Sequence, residues 1–320
     1  MNKPRILVTG GAGFIGSHLV DSIMLEGSQV CVLDNLSAGN LANLNQWHSN
    51  SGFSFVNIDL TKPMDTLSGE QFDVIYHLAA NPEVRVSSTN PETHYHQNIT
   101  ATFNLLEYIR KSRTTPRLVF TSTSAVYGEP TEIPTPETYG PLKPISVYAA
   151  TKLACEALIS AYAYNYGFKA TIYRLANVIG PRSGHGVIYD FIQKLHNTPN
   201  QLEILGDGSQ TKSYLHVTDC ITALLQNQET SREQVEIFNV GSEDKINVKT
   251  IAEEVVAAMG LTNVDLKLAG GVDGGRGWVG DVKIMLLNAH KIKLNGWTPK
   301  LNSHQAVTQT ARALTQNNPQ

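Results

Sequence analysis

Short apolar runs rich in valine and isoleucine recur through the first 180 residues, with helix-spaced stretches between them. Residues 5–8, 29–33, 53–58, 73–78, 117–121 and 170–175 read as strands. Residues 14–26, 92–113 and 145–166 read as helices, the first with Leu19, Ile23 and Leu25 among its apolar positions. Strands that are apolar throughout, rather than alternating, are buried on both faces. Helices alternating with such strands supply that cover. The pattern therefore predicts an α/β fold built on a doubly wound parallel sheet.

After Gly180-Pro181 the rhythm loosens. Short strands at 203–205, 237–240 and 266–268 mix with helices at 187–196, 217–226, 249–259 and near the C-terminus. This predicts a smaller α+β lobe over residues 181–320, with some segments returning to the lobe of residues 1–180. The stretch 128–144 holds Pro130, Pro134, Pro136, Pro141 and Pro144, which makes it a rigid loop. It follows a sheet strand, where active-site loops lie in folds of this kind.

Composition narrows the class. A chain of 320 residues, 41% hydrophobic and 17% charged, excludes disorder, collagen-like repetition and coiled coil. A net charge of −3 gives no electrostatic reason to expect a nucleic-acid polymer or an anionic membrane as partner. Cys31, Cys155 and Cys220 are far apart and form no CxxC pair, against a disulfide framework or a zinc ribbon. His94 and His96 lack a third ligand nearby, so they read as solvated or locally paired rather than as a metal site. No apolar run reaches the roughly 18 residues of a membrane span, so a cytoplasmic protein is expected.

The first chemical signal is Gly10-Gly11-Ala12-Gly13-Phe14-Ile15-Gly16, which follows the first strand and opens the first helix. Gly10 permits a tight turn, Gly13 lets a pyrophosphate approach the backbone, and Gly16 lets helix and strand pack closely. The helix N-terminus offers free N–H groups to phosphates. Asp34 ends the second strand, where it can accept from both adenosine ribose hydroxyls and repel a 2′-phosphate. Together these predict a Rossmann-type site for NAD rather than NADP. Asp59, after the third strand, either meets the adenine or caps a helix.

The second signal is Tyr148 and Lys152, four apart in a helix and so on one face. A phenol is a poor base at neutral pH, but a neighbouring ammonium and a charged nicotinamide favour its phenolate. Spacing alone is weak, since Tyr139 and Lys143 repeat it. That pair encloses Gly140-Pro141 and cannot lie on a continuous helix. A hydroxyl from the strand end 121–128, Thr123 in particular, could bridge a substrate oxygen and the phenol, or simply cap a turn.

GGAGFIG, Asp34, the stretch Leu78-Ala79-Ala80, the TSTSAVYG strand end, Tyr148-Ala-Ala-Thr-Lys152 and Gly206-Asp207-Gly208 resemble the extended short-chain dehydrogenase/reductase family. Within it the chain is most similar to UDP-galactose (UDP-glucose) 4-epimerases, from Arg5 to at least Asp281. The resemblance implies Tyr148, Lys152 and Thr123 as catalytic residues. It implies an NAD site of Gly10, Gly13, Phe14, Ile15, Gly16, Asp34, Asn35, Ser37, Gly39, Asp59, Leu60, Leu78, Ala79, Ala80 and Asn98, with Tyr148 and Lys152. For a UDP-sugar it implies Asn177, Gly186, Val187, Leu205, Lys212 and Arg276 beside Thr123 and Tyr148, with Arg85 a weaker candidate.

Family members differ just after Thr123. Dehydratases carry Thr-Asp-Glu and decarboxylases Thr-Ser-Glu, whereas this chain has Thr123-Ser124-Ala125 with neither acid. That favours epimerisation over elimination or decarboxylation, and the Tyr148/Lys152 pair disfavours a non-catalytic NAD-binding sensor. A residue that gates N-acetyl sugars falls at Met285, of intermediate size, so UDP-GlcNAc/GalNAc and UDP-glucuronate epimerisation stay open. Helix 145–166 is apolar around its circumference with only Lys152 and Glu156 charged. With the family habit, this implies a homodimer through helices 92–113 and 145–166.

Overall fold

A computed structural model describes residues 3–67, 69–226 and 233–316. Its first elements are β1 (Arg5–Thr9), α1 (Phe14–Leu25), β2 (Gln29–Asp34), β3 (Phe53–Asn57), β4 (Val74–His77), α2 (Pro91–His94), α3 (Ala101–Lys111), β5 (Arg117–Thr123), α4 (Val147–Tyr166) and β6 (Ala170–Leu175). Then follow β7 (Asn177–Ile179), α5 (Val187–Asn197), β8 (Gln201–Ile204), β9 (Thr211–Lys212), β10 (Tyr214–His216), α6 (Val217–Leu225) and β11 (Val235–Val240). The chain closes with β12 (Ile246–Asn247), α7 (Val248–Ala258), β13 (Asp265–Leu268), β14 (Ile284–Met285), α8 (His290–Leu294) and α9 (Ser303–Gln316).

Seven strands form one parallel sheet in the order β3-β2-β1-β4-β5-β6-β11. Its apolar runs are covered on both sides. Leu19, Val20 and Ile23 of α1 pack with Cys220 and Leu224 of α6 on one face. Leu105, Leu106 and Ile109 of α3 pack with Cys155, Ile159 and Ala163 of α4 on the other. The Rossmann-type, doubly wound α/β fold expected from the sequence is the one observed. Strand order reverses between β1 and β4, so a crevice opens beyond their C-terminal ends, where such sheets bind ligands.

The later segments divide. β11 joins the sheet beside β6, with Val235 opposite Ala170 and Val240 opposite Leu175. Helices α5, α7 and α9 instead share a separate core that includes Phe191, Leu195, Ile251, Val255, Val307 and Ala311. β8 and β13 pair in parallel at its edge. The pairs β7–β10 and β12–β9–β14 escape the sequence reading because strands of two or three residues carry no period. Among the described residues no helix is long and apolar enough to cross a membrane.

One predicted helix is corrected. The segment 92–113 is not a uniform α-helix, because Tyr95–Thr100 forms a π-helical turn between α2 and α3. Such a turn inserts an extra residue and re-aims side chains. Here Asn98 turns inward, accepting from Asn81 N at 2.9 Å and donating to Thr151 Oγ1 at 2.9 Å.

Candidate active site

A cleft of 1560 Å³ runs from the β1 turn to the second lobe. That is larger than one small ligand needs and is of a size for two. Its floor is the glycine turn. Gly10 has φ +70°, and a Cβ there would fall 2.7 Å from Ala79 N, so β1 and β4 ends approach closely only with glycine. A Cβ at Gly16 would fall 2.1 Å from Gly10 O, which requires glycine for the helix to start there. Gly13 caps α1 without a side chain, so no side-chain cap engages the first-turn N–H groups. Asp34 Oδ2 accepts from Ala12 N at 3.0 Å and Oδ1 from Leu36 N at 2.8 Å, which fixes the carboxylate at the cleft wall. Asn35, Ser37, Gly39, Leu60 and Leu78-Ala79-Ala80 line the same end. Asp59 lines it too and accepts from Thr61 N at 2.9 Å, which closes a turn; no helix starts there, so it does not cap one.

Thr123 at the end of β5, and Tyr148 and Lys152 on the first turns of α4, converge midway along the cleft. Ser146 caps α4 by accepting from Ala149 N at 3.2 Å, which fixes where the helix begins and hence where Tyr148 points. The Thr123 hydroxyl sits beside the Tyr148 phenol and favours its ionised form, and Thr123 Oγ1 accepts from Ala125 N at 3.2 Å. Burial pushes the phenol up to about 12, against the lowering effect of Thr123. Burial likewise pushes Lys152 down to about 8, and its Nζ rests 4.0 Å from the Phe120 ring centroid. Burial thus outweighs the protein's own groups at Tyr148, which leaves the charged nicotinamide, the other half of the expectation, to favour the phenolate. Desolvation is the largest cause at both residues and pushes each toward its neutral form.

The match to known families narrows the chemistry that belongs to such a cleft. Residues 6–241 match the model of the NAD dependent epimerase/dehydratase family. The chain belongs to that family. It is 33% identical over 319 residues to a putative UDP-glucose 4-epimerase of Methanocaldococcus jannaschii, covering 98% of this chain and 99% of that one. A crystal structure of a UDP-galactose 4-epimerase aligns with TM-score 0.86 and 43% identity over 98% of this chain and 99% of that one. A UDP-glucuronic acid 4-epimerase from Bacillus cereus, solved with UDP-glucuronic acid and NAD, aligns with TM-score 0.86 and 27% identity, covering 98% and 100%. NAD is therefore the cofactor of the family, and the glycine cradle and Asp34 fit a dinucleotide: the turn excludes a side chain at Gly10 and Gly16 and offers open N–H groups at α1.

For an epimerase/dehydratase the second lobe should hold the substrate. Asn177, Gly186, Val187, Leu205 and Lys212 line the cleft, as do Arg85 and Met285. Two expected residues do not. Arg276 turns away, donating from Nε to Asp281 O at 3.0 Å and from its other nitrogens to Asp273 O and Glu129. Asn98 is buried by the π-helical turn, its amide committed to Asn81 and Thr151. Lys212 pairs with Asp281 and lies 5.5 Å from the Trp278 ring centroid.

Sequence reasoning missed Trp278 and Gln210, both in the cleft wall. Trp278 Nε1 and Gln210 Oε1 are buried and unpartnered among the described residues, which suits a polar ligand. It also missed the support behind the site. Glu156 grips Arg174, with Arg174 Nη2 at 2.7 Å, and accepts from Ser122 next to Thr123. Arg174 Nη1 donates to Tyr127 OH at 2.9 Å, and Tyr127 donates to Asn239 at 2.7 Å. The one available signal was that Glu156 is among two charges on an otherwise uncharged helix.

Proposed function

We propose that this chain interconverts the C4 epimers UDP-galactose and UDP-glucose through a transient 4-keto sugar, with NAD as its resident cofactor. The observation that carries the reading is the convergence of Tyr148, Thr123 and Lys152 in the dinucleotide cleft, with Ala125 where an acid would serve elimination. Bound NAD supplies reversible hydride exchange with C4 and a positive charge that favours the phenolate. Tyr148 takes the proton of the 4-hydroxyl, Thr123 orients that hydroxyl, and Lys152 favours the ionised phenol. The keto sugar then turns about its diphosphate linkage, and Tyr148 returns the proton on the other face. Asn177 of β7 and the second lobe, with Lys212 and the α5 start at Gly186-Val187, hold the nucleotide meanwhile.

Purified protein incubated with UDP-galactose, UDP-GalNAc and UDP-glucuronate, without added NAD, should convert UDP-galactose to UDP-glucose. Appearance of a 4-keto-6-deoxy sugar or a pentose would overturn epimerisation. Preferred turnover of an N-acetyl sugar or uronate would keep the chemistry and change the substrate. Met285, buried in β14 and lining the cleft, is the residue that would set that preference.

The outer faces of α3 and α4 support a homodimer. Phe103, Tyr164 and Tyr166 are exposed there, and Ala150, Ala157 and Ala161 leave a shallow stripe along α4. Two such faces, packed as a four-helix bundle, would cover each other. Light scattering should give twice the chain mass for the wild type and the single mass for Ala157→Glu; a monomeric wild type would sink the assignment.

A further inference from the structure

His94 ends α2 and is wholly buried, so it is locally paired but not solvated. Its Nε2 lies 3.2 Å from the carbonyl oxygen of Glu83, an atom that only accepts, so Nε2 carries the proton. Nδ1 then presents a bare lone pair, buried and without a partner among the described residues. The ring packs in a T-shape on Tyr148, with centroids 5.7 Å apart and planes at 64°. An apolar side chain would fill this place without stranding an acceptor. The tether to Glu83 is what histidine adds.

Glu83 leads across the cleft. Arg85 grips its carboxylate at two points, Nε at 2.9 Å and Nη2 at 3.1 Å, and reaches Asp190 of α5 with Nη1 at 3.1 Å. Asp190 belongs to the second lobe, and all three residues line the cleft. The Arg85–Asp190 pair is partly solvated, with side-chain exposures of 43% and 33%, so it can open at little cost. A continuous chain of contacts thus runs from the second lobe through Arg85, Glu83 and His94 to the phenol.

We propose that His94 is a positioning residue for Tyr148, holding the phenol in register with Thr123 and relaying to it whether the Glu83–Arg85–Asp190 bridge is closed. The proposal rests on Tyr148 as the proton acceptor. Burial lowers the His94 pKa against the pull of the Glu83 carbonyl and charge, so the ring stays neutral and acts by geometry. The groups facing it are Glu83 from the turn after β4 and Tyr148 from α4. Among the described residues the phenol is in turn faced by Thr123 of β5 and Cys155 of its own helix, with Lys152 one turn on.

Two substitutions separate ring from tether: His94→Phe keeps the ring and loses the donor, and His94→Gln keeps a donor and loses the ring. The readout is the tyrosinate absorbance titration of NAD-saturated protein, with the Tyr148 contribution isolated by subtracting the matching Tyr148→Phe variant. His94→Phe should raise the midpoint by about half a pH unit, a roughly threefold loss of phenolate, because the phenol shifts away from the Thr123 hydroxyl that favours its ionised form. His94→Gln should shift it less. Asp190→Asn should shift it in the same direction and add nothing in the His94→Phe background. With UDP-galactose, kcat should fall in step with phenolate and KM should hold. An unmoved midpoint in both His94 variants, or additive shifts with Asp190→Asn, would overturn the proposal. If His94→Phe does not fold, His94→Gln alone and combined with Asp190→Asn decides by the same criteria. The titration needs no sugar, so a wild type inactive on every UDP-sugar would defeat the epimerase reading separately.

Discussion

Tyr148→Phe is expected to lower kcat by about 10²–10⁴-fold, the range that a positioned proton-transfer group contributes. The substitution removes one oxygen and leaves the ring that packs on His94, so the fold and NAD content should be nearly unchanged. The lost hydroxyl, buried beside Thr123, costs on the order of 1 kcal/mol in hydrogen bonding. Steady-state turnover of UDP-galactose, the urea midpoint and the nucleotide released on denaturation separate the two effects. Near-normal turnover would remove Tyr148 from the chemistry. Lost turnover with lost nucleotide would make it a binding residue instead.

The parts legible in the sequence are those whose physics is local. The turn at Gly10 and Gly16 demands glycine because strand, turn and helix meet within seven residues, and the demand is written in adjacent letters. Tyr148 and Lys152 share a face because they lie one helical turn apart. The proline-rich loop could be placed after β5 for the same reason.

What the sequence hid depends on distant partners. Arg276 carries the right charge near Gly280-Asp281, but Glu129, from the loop after β5, captures its guanidinium. Asn98 was placed at the cofactor by resemblance, and periodicity could not register the extra residue of the π-helical turn that buries it. His94 read as solvated or locally paired without a choice between them, since neither its carbonyl partner at Glu83 nor its contact with Tyr148 follows from helical spacing. In each case a residue was assigned correctly by type while its environment came from another element.

Glu156→Ala should destabilise the protein by about 3–5 kcal/mol, because it leaves a buried guanidinium without its counter-charge. Glu156 and Arg174 have side chains only 5% exposed, on α4 and β6, and are joined by three hydrogen bonds from Nε and Nη2. Burial opposes the charge on Arg174, yet Glu156 and Tyr127 hold its pKa above the usual range. The pair's worth lies in what it joins. Ser122 precedes Thr123, Tyr127 ends the turn that carries Ala125, and Asn239 ties β11 to the proline-rich loop through Thr135 O at 2.9 Å. Replacing both partners by apolar residues of similar size, Glu156→Leu with Arg174→Met, should recover most of the stability, since no charge is then stranded. The double variant should still turn over slowly, because Ser122 and Tyr127 lose the partners that fix the end of β5. Urea midpoints and kcat on the three proteins test this. If the double variant regained full activity, the pair would hold the fold without setting the position of Thr123.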